Sequence, residues 1–100
     1  MITYNETVIV DEGVHKQWLS WVKTEYIPMV IKTGFFNSFK ILNVLDSPNE
    51  GVTYCLQFFT DSREKYNEYN VHHFLGIQTL HQQKFENKFV LFNTLMQSIN

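Results

Sequence analysis

The chain has 100 residues, 44% of them hydrophobic and 16% aromatic, with ten acidic against eight basic side chains and a net charge of −2. That size suits one domain with one core, and so high an aromatic content excludes a disordered chain. The lysines and arginines are scattered from Lys16 to Lys88, so no surface for nucleic acid or an anionic membrane is expected.

Residues 2–10, ITYNETVIV, are β-branched and aromatic, end at the turn signal Asp11-Glu12-Gly13, and read as a strand. A helix follows. Its wheel puts Val14, Trp18, Trp21, Val22, Tyr26 and Met29 on one broad face, with Glu25 among them. Pro28 lacks the N–H that would bond the Thr24 carbonyl, so a kink or restart is expected there. Gly34 can take the left-handed conformation that ends the helix. Residues 35–45 and 52–60 read as two strands joined through the turn-rich Asp46–Gly51 segment. Asp61 stands three before Glu64, the spacing of a capping box. Tyr66, Tyr69, His73, Ile77 and Leu80 then recur on one face of a second helix, where Gly76 marks a possible kink. Residues 88–96, KFVLFNTLM, read as a last strand.

The order βαββαβ is the split βαβ pattern of an α+β, ferredoxin-like domain spanning residues 1–100: a four-stranded antiparallel sheet with two helices on one face. Alternation assigns the faces of the central strands. Ile2, Tyr4, Val8, Val10, Val52, Tyr54, Leu56 and Phe58 form the helix side, interrupted only by Glu6. Asn5, Thr7, Thr53, Cys55 and Gln57 fall on the other, and the edge-strand residues Phe39, Ile41, Leu45, Phe89, Leu91 and Leu95 are assigned there with Asn43 and Asn93. So apolar a face is expected to meet a second copy, giving a homodimer joined through Asn5, Thr7, Thr53, Gln57 and Leu91.

The lone Cys55 excludes an internal disulfide, and the opening MITYNETV has neither the basic nor the apolar region of a signal peptide. With no apolar run long enough for a bilayer, a cytoplasmic protein with no membrane partner is expected.

The ordered set Tyr4-Asn5, Trp18-x-x-Trp21, Ile27-Pro28, Thr33-Gly34-x-Phe36, Gly51-Val52-Thr53-Tyr54, Tyr66-x-x-Tyr69, His73, His81 and Lys88-Phe89-Val90-x-Phe92 resembles a small bacterial family known as a domain of unknown function. The resemblance runs from about residue 1 to residue 96. That family is in turn similar to the dimeric α/β-barrel superfamily, which includes cofactor-free monooxygenases, muconolactone-isomerase-like enzymes and stress-response proteins. The resemblance implies fold and dimerisation more than chemistry. The chain departs from the family pattern at Tyr26, where histidine is usual, at Phe74-Leu75 in place of Ala-Pro, and at Asn93, where arginine is frequent.

No stretch names a reaction. His73 and His81 lie about 12 Å apart along a helix, too far to share an ion, and no HxxxH, phosphate loop or dinucleotide fingerprint occurs, so neither metal nor cofactor is expected. His81 reads as an exposed or helix-end residue. The candidate acid–base groups are His73, Glu6 and Glu25, ionisable side chains on faces that otherwise read apolar. Trp18, Trp21, Tyr54, Tyr69 and His73 are the candidate ligand-binding residues around them. Matching heights over the sheet predict a Glu6–His73 hydrogen bond that raises the histidine pKa and lowers the glutamate's. Two functions fit. One is a dimeric small-molecule-binding or structural module without chemistry, taking a small apolar ligand. The other is a cofactor-free oxygenase or isomerase acting on an apolar, ring-containing substrate between sheet and helices.

Overall fold

The computed structural model describes residues 1–100 as four strands and two helices in the order βαββαβ. Strand β1 is Ile2–Val10, β2 is Ser38–Asn43, β3 is Val52–Thr60 and β4 is Phe89–Gln97. Helix α1 covers residues 15–32 and α2 covers 63–84. The sheet is antiparallel in the order β2-β3-β1-β4, with the two apolar strands central, as their alternation demands.

The register settles which residues share a face. Tyr4 stands opposite Phe58 and Leu95, Glu6 opposite Leu56 and Asn93, and Val8 opposite Tyr54 and Leu91. Phe39 pairs with Phe58 and Ile41 with Leu56. Directly paired residues project to the same side. Phe39, Ile41, Asn43, Phe89, Leu91, Asn93 and Leu95 therefore belong with the helix-facing set, contrary to the edge parity expected from the sequence, and Leu45 lies beyond the end of β2. The error has a simple origin: parity carried across a loop is arbitrary until a register fixes it. The open face instead carries Thr3, Asn5, Thr7, Ile9, Thr53, Cys55, Gln57 and Phe59, flanked by Lys40 and Leu42 on β2 and Val90, Phe92, Thr94 and Met96 on β4.

Both helices contain a π-helical turn at mid-length, Val22–Tyr26 in α1 and Asn70–Phe74 in α2. In α1 the turn sits just before Pro28. The Ile27 N–H bonds the Val22 carbonyl five residues back, and Pro28 falls in the first turn of the following segment, Ile27–Lys32. A missing N–H costs least there, so the helix passes the proline without stopping. The extra residue of each π turn moves the inward stripe along by one. Val30 is buried where Met29 was expected, and His81 where Leu80 was expected. Gly76, the expected kink, is exposed in a regular stretch of α2.

Helix termini follow local chemistry. Gly34, at φ +86°, closes α1. The cap of α2 is Ser62 rather than Asp61: its extended backbone lets Oγ accept from the Lys65 N–H at 3.3 Å, while Asp61 pairs with the Lys65 ammonium. At the β3 entry Gly51 has φ +87°, and a Cβ there would lie 2.5 Å from the Val10 carbonyl oxygen, so only glycine fits.

Candidate functional site

The layer between sheet and helices holds one buried carboxyl and one buried imidazole, Glu6 and His81, each with no exposed surface. Strand β1 points Glu6 at the helices from the middle of the sheet. Its Oε2 accepts the Tyr4 hydroxyl at 2.7 Å and the Gln78 amide at 3.4 Å, and its Oε1 accepts the Tyr26 hydroxyl at 2.6 Å. No cation is among these partners. Burial pushes the carboxyl pKa up from 4.5 to about 7, with the hydrogen bonds from Tyr26 and Tyr4 pulling the other way. The same burial, reinforced by the neighbouring Glu6, raises the Tyr4 and Tyr26 hydroxyls well above the ordinary tyrosine range.

His81 lies against four aromatic rings. Phe89 stacks on it at 3.8 Å and 7°, and Tyr26, Trp21 and Trp18 surround it at 5.0, 5.4 and 6.1 Å. Its Nε2 accepts the Trp18 indole N–H at 2.9 Å, and its Nδ1 faces the Gln78 oxygen at 3.2 Å. Burial lowers its pKa from 6.5 to about 4, so the ring is neutral in neutral solution. Gln78 joins the two ends, since its amide nitrogen also donates to the Tyr26 oxygen at 2.6 Å.

The expected Glu6–His73 bond does not form. His73 is half-buried beside Phe35 and Tyr69, with ring centroids at 5.7 and 6.3 Å. It sits in the π turn of α2, and Tyr4, Tyr26 and Gln78 take the carboxylate instead. The direction expected for the glutamate is reversed as well, because burial outweighs its hydrogen bonds. Glu25 is exposed on α1, away from Glu6 and His81. Trp18 and Tyr69 are fully buried, and the Tyr69 hydroxyl has no hydrogen-bond partner. Tyr54, also buried, shares a 2.9 Å hydrogen bond with His15 Nδ1. No three His, Cys, Asp or Glu side chains come together as a metal ligand set.

The sequence missed His81, Gln78 and Tyr26 as one network. A signal was present, for Tyr69, His73, Ile77 and His81 are spaced at four throughout, which continues the inward stripe to the histidine.

Two hollows open on the surface. One, about 380 Å³, runs between the helices over Trp21, Met29 and Leu80, with Glu25, Gln83 and Lys84 at its rim. It brings together two of the expected residues, Trp21 and Glu25, and its Trp21 floor rests on the His81 ring. The other, about 910 Å³, lies where β1, β3 and β4 meet their loops, and sets Asp11, Glu12 and Glu50 against Lys88. None of the expected site residues lines it.

The model of the family described as "Domain of unknown function (DUF4286)" matches residues 1–99. The chain belongs to the DUF4286 family. No curated protein matches the chain significantly. Solved structures do, and they show the fold that this DUF4286 member shares. An ethyl tert-butyl ether (ethd) family protein from Bacillus halodurans aligns over 99% of this chain and 100% of its own, with TM-score 0.70 and 10% identity. A dimeric ferredoxin-like protein from an uncultured marine organism aligns over 99% and 96%, at TM-score 0.58 and 11% identity. SnoaB, a cofactor-independent oxygenase from Streptomyces nogalater, aligns over 99% and 93%, at TM-score 0.59 and 10% identity. The DUF4286 chain thus has a ferredoxin-like architecture. None of its helices is long and apolar enough to cross a membrane.

Proposed function

We propose that this DUF4286 protein is a homodimeric binding module that takes a small, flat, apolar molecule in the groove between α1 and α2. The observation that carries the reading is the groove itself. It offers about 380 Å³ over the apolar side chains of Trp21, Met29 and Leu80, within a rim of Glu25, Gln83 and Lys84. Volumes of about 300–1,000 Å³ with an apolar floor and few polar groups suit small-molecule sites. Trp21 is buried except for a 9% remnant, and an aromatic surface held this firmly can stack on a planar ligand at little entropic cost.

Dimerisation through the open sheet face is supported by what that face exposes: Val90, Phe92, Met96 and Leu42 remain 40–56% accessible. Stacking on a second sheet would cover them, and the dimeric description of one structural relative agrees in kind. The oxygenase or isomerase reading needs substrate room between sheet and helices. That layer is filled by Tyr4, Trp18, Tyr26 and Tyr69, and both surface hollows lie outside it, which favours the module.

Titration with 8-anilinonaphthalene-1-sulfonate, a flat apolar anion, tests the groove. Leu80 is 49% exposed, so Leu80→Glu should leave the fold intact, as far-UV circular dichroism checks, while weakening probe binding at least tenfold. Unaltered binding in that variant would remove the groove as the site.

A further inference from the structure

The buried polar network begins at a group that can only donate. An indole N–H has no acceptor, so with Trp18 Nε1 at 2.9 Å, His81 Nε2 must be the unprotonated nitrogen. The proton of the neutral ring then sits on Nδ1 and is donated to Gln78 Oε1. That orients the Gln78 amide with Nε2 toward Tyr26, whose oxygen accepts it and whose proton goes to Glu6 Oε1. Each bond leaves the next no choice. Reversing the Gln78 amide would present an N–H to His81 Nδ1 while Trp18 still presents one to Nε2, and a neutral imidazole cannot accept at both nitrogens.

The other carboxylate oxygen is under no such constraint. Oε2 accepts from Tyr4, whose hydroxyl can turn, and from the long Gln78 contact at 3.4 Å. Beside the Tyr4 hydroxyl lies the side chain of Asn93, across from Glu6 in the register and exposed on edge strand β4, with its amide N–H toward the Tyr4 oxygen. An asparagine amide can present either its oxygen or its nitrogen. With that amide turned over, a proton on Oε2 can point at the Tyr4 oxygen while the Tyr4 hydroxyl turns to donate to the Asn93 oxygen; the added proton stays on Glu6 and Tyr4 keeps its own.

We infer that the Trp18 indole fixes the direction of every hydrogen bond from His81 to Glu6, and that Oε2 of Glu6, backed by Tyr4 and Asn93, is the point where this buried network takes up and releases a proton. The groups facing Glu6 are Tyr4 on its own strand, Asn93 on β4, Tyr26 on α1, and Gln78, Tyr66 and Tyr69 on α2, while Leu56 faces it from β3. Those facing His81 are Trp18, Trp21 and Tyr26 on α1, Gln78 on α2 and Phe89 on β4. Neither set contains a lysine or arginine, so no fixed positive charge holds Glu6 ionised. The raised carboxyl and lowered imidazole pKa values agree with this arrangement. Trp18 is a positioning residue here, acting on Glu6 through three other side chains.

Nuclear magnetic resonance of the whole protein, labelled with ¹⁵N at histidine and ¹³C at glutamate Cδ, tests the inference. The expected result is a His81 ring protonated on Nδ1 alone from pH 6 to 8, and one glutamate carboxyl with its midpoint near neutrality that disappears in Glu6→Gln. Trp18→Phe frees the Gln78 amide to turn over and take the Tyr26 proton, and Gln78→Met removes the amide N–H that reaches Glu6 Oε2, so in each the midpoint should rise by about half a pH unit or more. Asn93→Leu removes the outlet of the protonated form and should move the midpoint the other way. Because the wild-type tautomer needs no variant, the test stands even if Trp18→Phe fails to fold. A ring protonated on Nε2, a Glu6 midpoint in the ordinary carboxylate range, or midpoints that move alike in folded Gln78→Met and Asn93→Leu would each overturn it.

Discussion

The two faces of this sheet solve the same problem in opposite ways. Each carries polar groups at its centre. On the helix side Glu6 is wholly enclosed, and Tyr4, Tyr26 and Gln78 were recruited from three elements to satisfy it. On the open side Asn5, Thr7, Gln57 and Cys55 bond mainly to one another, with Asn5 Nδ2 to Thr7 at 3.0 Å and Gln57 Nε2 to Asn5 at 3.3 Å. The covered face depends on a specific arrangement, so single losses there are costly. The open face carries a neutral polar ladder ringed by Val90, Phe92, Met96 and Leu42, with Lys40 as the charged side chain at its β2 edge, exposed to solvent.

The largest expected effect tests the covered face at its apolar anchor. Trp18 has no exposed surface, packs on Tyr54 at 5.1 Å and donates to His81. Trp18→Ala should cost about 3–5 kcal/mol in a urea melt. A loss within about 1 kcal/mol would mean that neither the ring's packing nor its hydrogen bond to His81 holds the covered face together.

A second pair of variants separates Glu6 from His81 by pH. The folded state raises the Glu6 pKa, so this group favours folding below about 4.5 and its contribution is lost as pH rises through about 7. It lowers the His81 pKa, so that contribution is present above 6.5 and is lost as pH falls through about 4. In the intact protein the two slopes oppose each other over the same interval, and stability should be nearly flat between pH 4.5 and 6.5. Glu6→Gln leaves His81 unopposed, and stability should fall toward acid. His81→Asn leaves Glu6 unopposed, and stability should fall toward pH 7. Each full swing is about 3 kcal/mol from shifts of this size. Denaturation midpoints at four or five pH values would show whether the slopes have these signs.

The comparison sharpens at neighbouring residues. Leu91 faces the helices and Phe92 faces outward. Leu91→Asp should therefore destabilise the fold by about 2 kcal/mol or more, since a charge would enter the core. Phe92→Glu should leave the fold nearly unchanged, within about 0.5 kcal/mol, while light scattering moves from twice the chain mass to the chain mass. A dimer that survives Phe92→Glu would place the interface elsewhere.

Much of this was legible beforehand. The order of elements, the central position of β1 and β3, and the inward set from Ile2 to Phe58 followed from alternation and turn residues, because each depends on neighbours in sequence. The face of β4 did not follow, since only the register with β1 places Leu91 beside Val8. The partner of Glu6 was misassigned for a related reason. His73 and His81 both lie on the inward stripe of α2, and the stripe alone does not say which histidine the sheet will enclose. The choice rests on Trp18, Gln78 and Phe89, which come from three elements.

The π turns bear on how chain length can vary. In α1 the inward residues Trp18, Val22, Tyr26 and Val30 are spaced four apart, and in α2 so are Tyr69, His73, Ile77 and His81. Three steps of four make twelve residues, whereas three regular α-turns hold about 10.8, so each π turn absorbs roughly one surplus residue. Each helix is in effect a regular one carrying a single insertion. Deleting exposed Val71 would return α2 to an uninterrupted helix with Ile77 and His81 still inward. The same deletion in α1, at Thr24 for instance, would push Pro28 into a helix interior against the carbonyl four residues back. One insertion is therefore reversible, and the other is locked in place by its proline.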